Sequence, residues 1–130
     1  MDKLLGPKIT GRQTLLFIGQ SGAGKKTNVD MMIAYLQSID PTRRIVVSET
    51  GELFRAMRKS APAWLIEEIN STQKAGKFQP YIHALMITIN ELYRLVVTND
   101  EHVIIDGSPR SVDEATHLIY FLENVMRRKP

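Results

Sequence analysis

The chain has 130 residues, with 43% hydrophobic and 24% charged residues, a composition that suits one globular domain with one core and excludes disordered, collagen-like and low-complexity classes. It has no cysteine, which removes disulfides, cysteine-ligated zinc, iron–sulfur clusters and thiol nucleophiles together, and points to a reducing cytoplasm. The net charge of +3 is too small for a nucleic-acid binder, but residues 1–65 carry ten basic and five acidic side chains against seven and nine in residues 66–130, so phosphate is expected to meet the first half.

No apolar run approaches the ~20 residues needed to span a bilayer, and residues 1–12 lack the apolar stretch of a secretory signal, so no membrane partner is expected. The run Thr14 to Gly19, TLLFIG, is short, continuously apolar and closed by glycine, which predicts a strand buried on both faces of a parallel sheet. From Gly24 a helical pattern carries Val29, Met32, Ile33 and Leu36 to a stop at Asp40-Pro41. Arg44 to Ser48 is a second β-branched strand, and Thr50 to Lys59 reads as a helix with Leu53, Phe54 and Met57 on one side. Pro62 suits the first turn of a helix reaching about Lys74, with Gly76 where a helix C-terminus wants a residue tolerant of positive φ.

Pro80 repeats the start signal before the stripe Ile82, Leu85, Ile89, Leu92 and Val96. His102 to Asp106 is a third buried strand with an aspartate at its carboxyl end. The last helix places Val112, Ala115, Ile119, Leu122 and Met126 on one face, with Ser111 and Glu114 in capping-box spacing and Arg127, Arg128 and Lys129 suited to its dipole. Strands alternating with helices predict an α/β fold, a parallel sheet with helices on both faces. A run as uniformly apolar as Leu15 to Ile18 predicts a central strand with neighbours on both sides, yet only two other strands are found, so a truncated sheet is expected.

The string Gly19 to Thr27, GQSGAGKKT, lies between a predicted strand and a predicted helix, the context that makes a glycine-rich string a phosphate loop. Gly19, Gly22 and Gly24 let the backbone wrap closely, with Ser21, Ala23, Lys26 and Thr27 in the same wall and the helix N-terminus adding positive potential. The Lys25 ammonium reaches the outer phosphates, so a triphosphate is the expected ligand. A phosphate loop usually has Ser or Thr directly after its lysine to meet Mg²⁺, but here that place holds Lys26 and the hydroxyl follows at Thr27. Lys26 either points to solvent or adds a phosphate contact.

This shifted G-x-x-G-x-G-K-x-T form resembles the loop of adenylate kinases and related nucleoside monophosphate kinases, which are P-loop NTPases. The resemblance runs from about Thr14 to Glu123. Ser48 to Arg55 is similar to the family's S-T-G-D-x-L-R segment, with Glu49 as one inserted residue or a replacement; Thr50 would then hydrogen-bond the acceptor nucleotide and Arg55 its phosphate. Ala75 to Gln79 resembles A-G-K-L-V, which would make Lys77, Phe78 and Gln79 frame the acceptor base, unless they are ordinary core and surface residues. Asp106 to Arg110 resembles D-G-F-P-R with Ser108 replacing the aromatic residue. It implies that Asp106 positions Mg²⁺ through water and that Arg110 holds the acceptor phosphate. The family's base-reading glutamine falls at Glu114, where a carboxylate, which only accepts, would make guanine thinkable; the capping box with Ser111 is the weightier role. His83, His102 and His117 stand singly and read as structural, and Trp64 and the tyrosines as packing.

The resemblance implies one domain over residues 1–130 with a monophosphate-binding insertion at about 50–79. The γ-phosphoryl of Mg·ATP would pass to a nucleoside monophosphate, AMP first, to give two diphosphates, with Lys25, Asp106 and Arg110 as catalytic residues. ATP and Mg²⁺ are the expected cofactors and small nucleotides the expected partners. Family members continue beyond the position of Pro130 with a strand, an arginine-bearing lid and a last strand. The alternatives are therefore a catalytically weak nucleotide-binding module or kinase fragment completed by other residues or another chain and, less well supported, a phosphate-loop kinase acting on a sugar or acid.

Overall fold

A computed structural model describes residues 11–19, 24–74 and 81–130, with side chains for all of these but 72–74. In chain order the elements are β1 (Thr14–Phe17), α1 (Lys25–Ile39), β2 (Ile45–Glu49), α2 (Thr50–Ser60), α3 (Ala63–Lys74), α4 (Tyr81–Leu95), β3 (His102–Asp106) and α5 (Val112–Asn124). The three strands form a parallel sheet in the order β1-β3-β2, the expected α/β architecture. Among the described residues no helix is long and apolar enough to cross a membrane.

Side-chain alternation along β3 divides the core into two layers. Ile104 meets Val29 and Leu36 of α1, joined by Leu15 and Phe17 of β1. Val103 and Ile105 point the other way, into Leu85 and Leu92 of α4 and Leu118, Phe121 and Leu122 of α5. A third cluster, Phe54, Ile69 and Ala84, ties α2 and α3 to α4. Because α4 packs against both the sheet side and this cluster, its buried face is wider than the predicted stripe: Ala84 and Thr88 are buried beside Leu85 and Leu92, while Ile82 is exposed.

The central strand is β3, not β1. All five β3 residues are buried, whereas β1 pairs only with β3 among the described residues, leaving Leu15 to Phe17 half-buried and Ile18 67% exposed. The apolar run reflects cover on both faces, since Leu16 packs into the α4 and α5 layer and Leu15 and Phe17 into the α1 layer. It carries no information about neighbours at the edges.

Three further expectations are corrected in whole or part. The buried stripe of α5 is Glu114, Leu118, Phe121 and Leu122, and Val112 is 82% exposed, because the helix is rotated to bring Glu114 against the preceding loop. Arg128 does not serve the α5 dipole at the surface. It is 2% exposed and turns back, donating to Thr14 Oγ1 (2.7 Å), Asn99 Oδ1 (3.0 Å) and the carbonyls of Gln13 (3.1 Å) and Glu101. Trp64 and Tyr120 are exposed, against their reading as packing residues, whereas Tyr93, though exposed, meets Phe121 edge-on at 5.5 Å, and half-buried Tyr81 stacks on His117.

Candidate functional site

Register places the site. Phe17, Asp106 and Glu49 are lateral neighbours at the carboxyl edge of the sheet, where the loops of a parallel sheet converge on ligands. A cleft of about 460 Å³ opens there, lined by Gly19, Lys25, Glu49, Arg55, Gly107 and Arg110 among others. It joins four of the predicted site residues, drawn from segments far apart in the chain.

The first wall is the start of α1. Its N-cap is Gly24, in the left-handed region at φ 81°, with no side-chain cap and no acidic residue in the first turn. Among the described residues the first N–H groups of α1 therefore lack the acceptor that Ser, Thr or Asp would give, and together with the dipole they suit this helix end to an anion. Thr27 and Lys26 are exposed on this turn, and Lys26 lies 4.0 Å from Asp30 in an i,i+4 pair with its side chain 89% exposed, which is the solvent-facing alternative. Lys25 instead is mostly buried and ion-paired with Asp106 at the end of β3.

Gly107, at φ 91°, is the point on which the site converges. A Cβ built there would lie 3.4 Å from Arg110 Nη2, 3.6 Å from Thr50 Cβ and 3.9 Å from Lys25 Nζ, so the missing side chain leaves room shared by two cations. The conformation also favours glycine. Arg110 is fixed by its Nε donating to the Gly107 carbonyl at 2.7 Å.

The other wall is the β2–α2 junction. Glu49 caps α2 by accepting from the Glu52 N–H (3.2 Å), and its second oxygen lies 3.6 Å from Arg55 Nη2, whose side chain is 64% exposed. Gly51 leaves room for both groups, since a Cβ there would meet Glu49 Oε1 at 2.8 Å and Arg55 Nη1 at 3.4 Å. Thr50 and Ser48 are fully buried, and their hydroxyl oxygens find no hydrogen-bond partner among the described residues. Unpartnered buried hydroxyls are uncommon and cost stability. Glu49, expected only as an inserted residue or a replacement, acts as a cap; the signal it carries is an acceptor side chain three residues before the N–H it receives.

Glu114 does not line the cleft. It is 1% exposed, with one oxygen accepting from the Arg110 N–H (2.9 Å) and the other from the Ser108 hydroxyl, while its own N–H donates to Ser111 Oγ (3.1 Å). The Ser111 half of the capping box is therefore present; the Glu114 half grips the loop instead. Ser21, Gly22 and Ala23, and Lys77, Phe78 and Gln79, lie outside the described residues. Of the histidines, His102 is fully buried, with Nδ1 accepting from the Gln13 N–H (3.0 Å) and Nε2 3.1 Å from Asp40 Oδ2, a structural placement.

The donors suited to a cation are hard oxygens, the Asp106 carboxylate and the Thr27 hydroxyl. They fit Mg²⁺, which takes one or two protein oxygens and fills its remaining positions with water and phosphate. No family model matches the chain. An adenylate kinase of Borrelia turicatae is 30% identical over 111 residues, covering 85% of this chain and 48% of that protein, so the chain spans about half the length of the relative it matches. The similarity, at this identity, supports kinship with nucleotide kinases.

Proposed function

We propose that this chain carries the nucleotide site of an adenylate-kinase-like phosphotransferase, which moves the γ-phosphoryl of Mg·ATP onto a nucleoside monophosphate, AMP first. The observation that carries the reading is the convergence on Gly107: the Lys25 ammonium and the Arg110 guanidinium face one point beside Asp106 and the open start of α1. That is a cradle for several phosphates at once. A phosphate oxygen of the acceptor forms a bond to the γ-phosphorus as the bond to the β,γ-bridging oxygen breaks, and the electron pair leaves with ADP. Phosphoryl transfer of this kind needs positioning and charge stabilisation rather than a protein nucleophile.

In this reading the N–H groups of α1 and Lys25 hold the triphosphate, with Gly19, Ser21, Gly22, Ala23, Gly24 and Lys26 completing its loop. Arg110 and Arg55 hold the acceptor phosphate, with Thr50, Lys77, Phe78 and Gln79 toward its nucleoside. When Lys25 turns from Asp106 to phosphate, the freed carboxylate and Thr27 become the residues that would hold hydrated Mg²⁺, which supplies charge neutralisation on the phosphates. A small-molecule substrate pair and a cytoplasmic setting go with this assignment.

A second reading, nucleotide binding with little turnover, is favoured by the pairing of Lys25 with Asp106 and of Arg55 with Glu49, which engages two of the cleft's cations within the chain. Arginines delivered to a transferring phosphoryl group are worth ~10³ to 10⁵ in rate, so residues supplied from elsewhere would decide between weak and full activity. Calorimetric titration with ATP and AMP, run beside an assay of ADP formation, separates the two. In either case Lys25→Ala is expected to weaken ATP binding at least about tenfold while leaving the circular dichroism spectrum unchanged. A Lys25→Ala protein that binds ATP and turns over normally would overturn the assignment.

A further inference from the structure

We propose that Glu114 is a positioning residue: its buried carboxylate clamps the loop from Gly107 to Arg110, so that Arg110 is presented to the cleft, and it reads no nucleotide base. The proposal rests on the cleft being a nucleotide site. An ordinary capping box returns its acidic side chain to the N-cap N–H, here that of Ser111. Glu114 reaches further back. Its two oxygens take the Arg110 N–H at 2.9 Å and the Ser108 hydroxyl, donors on either side of Pro109. Ser108 is fully buried and Glu114 is 1% exposed, so both oxygens are spent inside the protein and no acceptor edge faces a ligand.

The charge of Glu114 is held by a hydroxyl, a backbone amide and the positive end of α5, whose third residue it is. Such an arrangement fixes backbone rather than balancing a cation. The purpose lies on the other side of the loop. Arg110 Nη2 and Lys25 Nζ stand 3.4 and 3.9 Å from the same point beside Gly107. Lys25 keeps Asp106 as its counter-charge whereas Arg110 has no carboxylate partner in the cleft among the described residues, so a free loop would let the guanidinium swing outward to solvent. The Glu114 clamp on one side and the Arg110 Nε bond to the Gly107 carbonyl (2.7 Å) on the other hold it in place. Ser108 belongs to the same device, because its hydroxyl supplies the donor that the second carboxylate oxygen needs.

Glu114→Gln and Glu114→Ala separate positioning from base reading. The amide keeps an oxygen for the Arg110 N–H, and the Ser108 hydroxyl can rotate to accept from the new NH₂ group. Glu114→Gln is therefore expected to retain wild-type affinity for AMP and the wild-type order of preference among AMP, GMP, CMP and UMP. Glu114→Ala is expected to weaken AMP binding about tenfold, to leave ATP binding within about twofold, and to raise amide hydrogen exchange at Arg110 about tenfold. A changed base preference in Glu114→Gln would assign the residue to base reading and overturn the proposal. So would unchanged AMP affinity in Glu114→Ala, or Arg110 exchange that does not respond. If the wild-type chain binds no nucleotide, the functional reading falls, while the Arg110 exchange still decides whether the clamp exists. Should Glu114→Ala not fold, Ser108→Ala removes one donor only and is read by the same measurements.

Discussion

Lys25 and Arg55, two of the cations lining the cleft, each sit beside a carboxylate of the chain itself, Lys25 with Asp106 and Arg55 with Glu49. In the proposed nucleotide site these carboxylates compete with phosphate oxygens for the two cations, so binding an anion would draw Lys25 and Arg55 away from them. For Arg55 the displacement is easy, because an exposed pair at 3.6 Å is worth about 0.2–1 kcal/mol. Glu49 stays where it is, held by the α2 cap, and Arg55 is the partner free to leave. Glu49→Gln keeps the acceptor for the cap and removes the competing charge. Titration of this variant with AMP is expected to show tighter binding, by up to about fivefold; weaker binding would mean that Glu49 orients Arg55 instead. Lys25, Asp106 and Arg110 were legible in the sequence because each sits at a set offset from a glycine or a strand end. Glu49 was not, because a cap and a counter-charge are defined by what surrounds the side chain.

At the scale of elements, the amino edge of the sheet is held by polar side chains, among them the histidine expected to be structural. The His102 ring on β3 accepts from the Gln13 N–H through Nδ1, so its proton sits on Nε2 and points at Asp40, the C-cap of α1. Burial pushes the imidazole below its ordinary value of 6.5, against the opposing pull of Asp40, with Arg43 and Arg128 also disfavouring its cation. A second ring proton would face the Gln13 N–H and break that bond. The folded state thus binds this proton less readily than the unfolded chain, so the stability His102 contributes is complete above pH 6.5 and is lost as the pH falls below it.

Glu101 titrates elsewhere. Burial raises its carboxyl, but the N–H groups of Val97 and Thr98 outweigh burial and hold it at about 2, so its contribution is lost only below 4.5. Thermal melts are expected to show a midpoint falling from about pH 7 to about pH 5, with a shallower slope in His102→Gln. Equal slopes would assign that acid sensitivity to another group. The existence of these elements was legible, since hydrophobic period and glycine or proline punctuation are local; the rotation of α5 was not, because a buried glutamate is invisible to an apolar pattern.

At the scale of the molecule, β3 and the helices around it carry the stability. Leu92 is fully buried where α4 meets the sheet and α5, so Leu92→Ala is expected to cost about 2–5 kcal/mol, a large part of the ~5–15 kcal/mol typical of a domain. Urea denaturation of the variant measures it, and a loss under about 1 kcal/mol would show that the surrounding helices collapse into the space.

The sequence by itself determined the alternation of strands and helices, the helix start at Lys25 after a glycine and the strand-end position of Asp106, because each is a pattern within a few residues. Only the tertiary structure decided that β3 and not β1 is central, that Lys25 meets Asp106 across 81 residues, and that Arg128 closes on Thr14 across 114. Strand neighbours and ion pairs are chosen by distance in space, and chain entropy leaves distance along the sequence a poor guide to them.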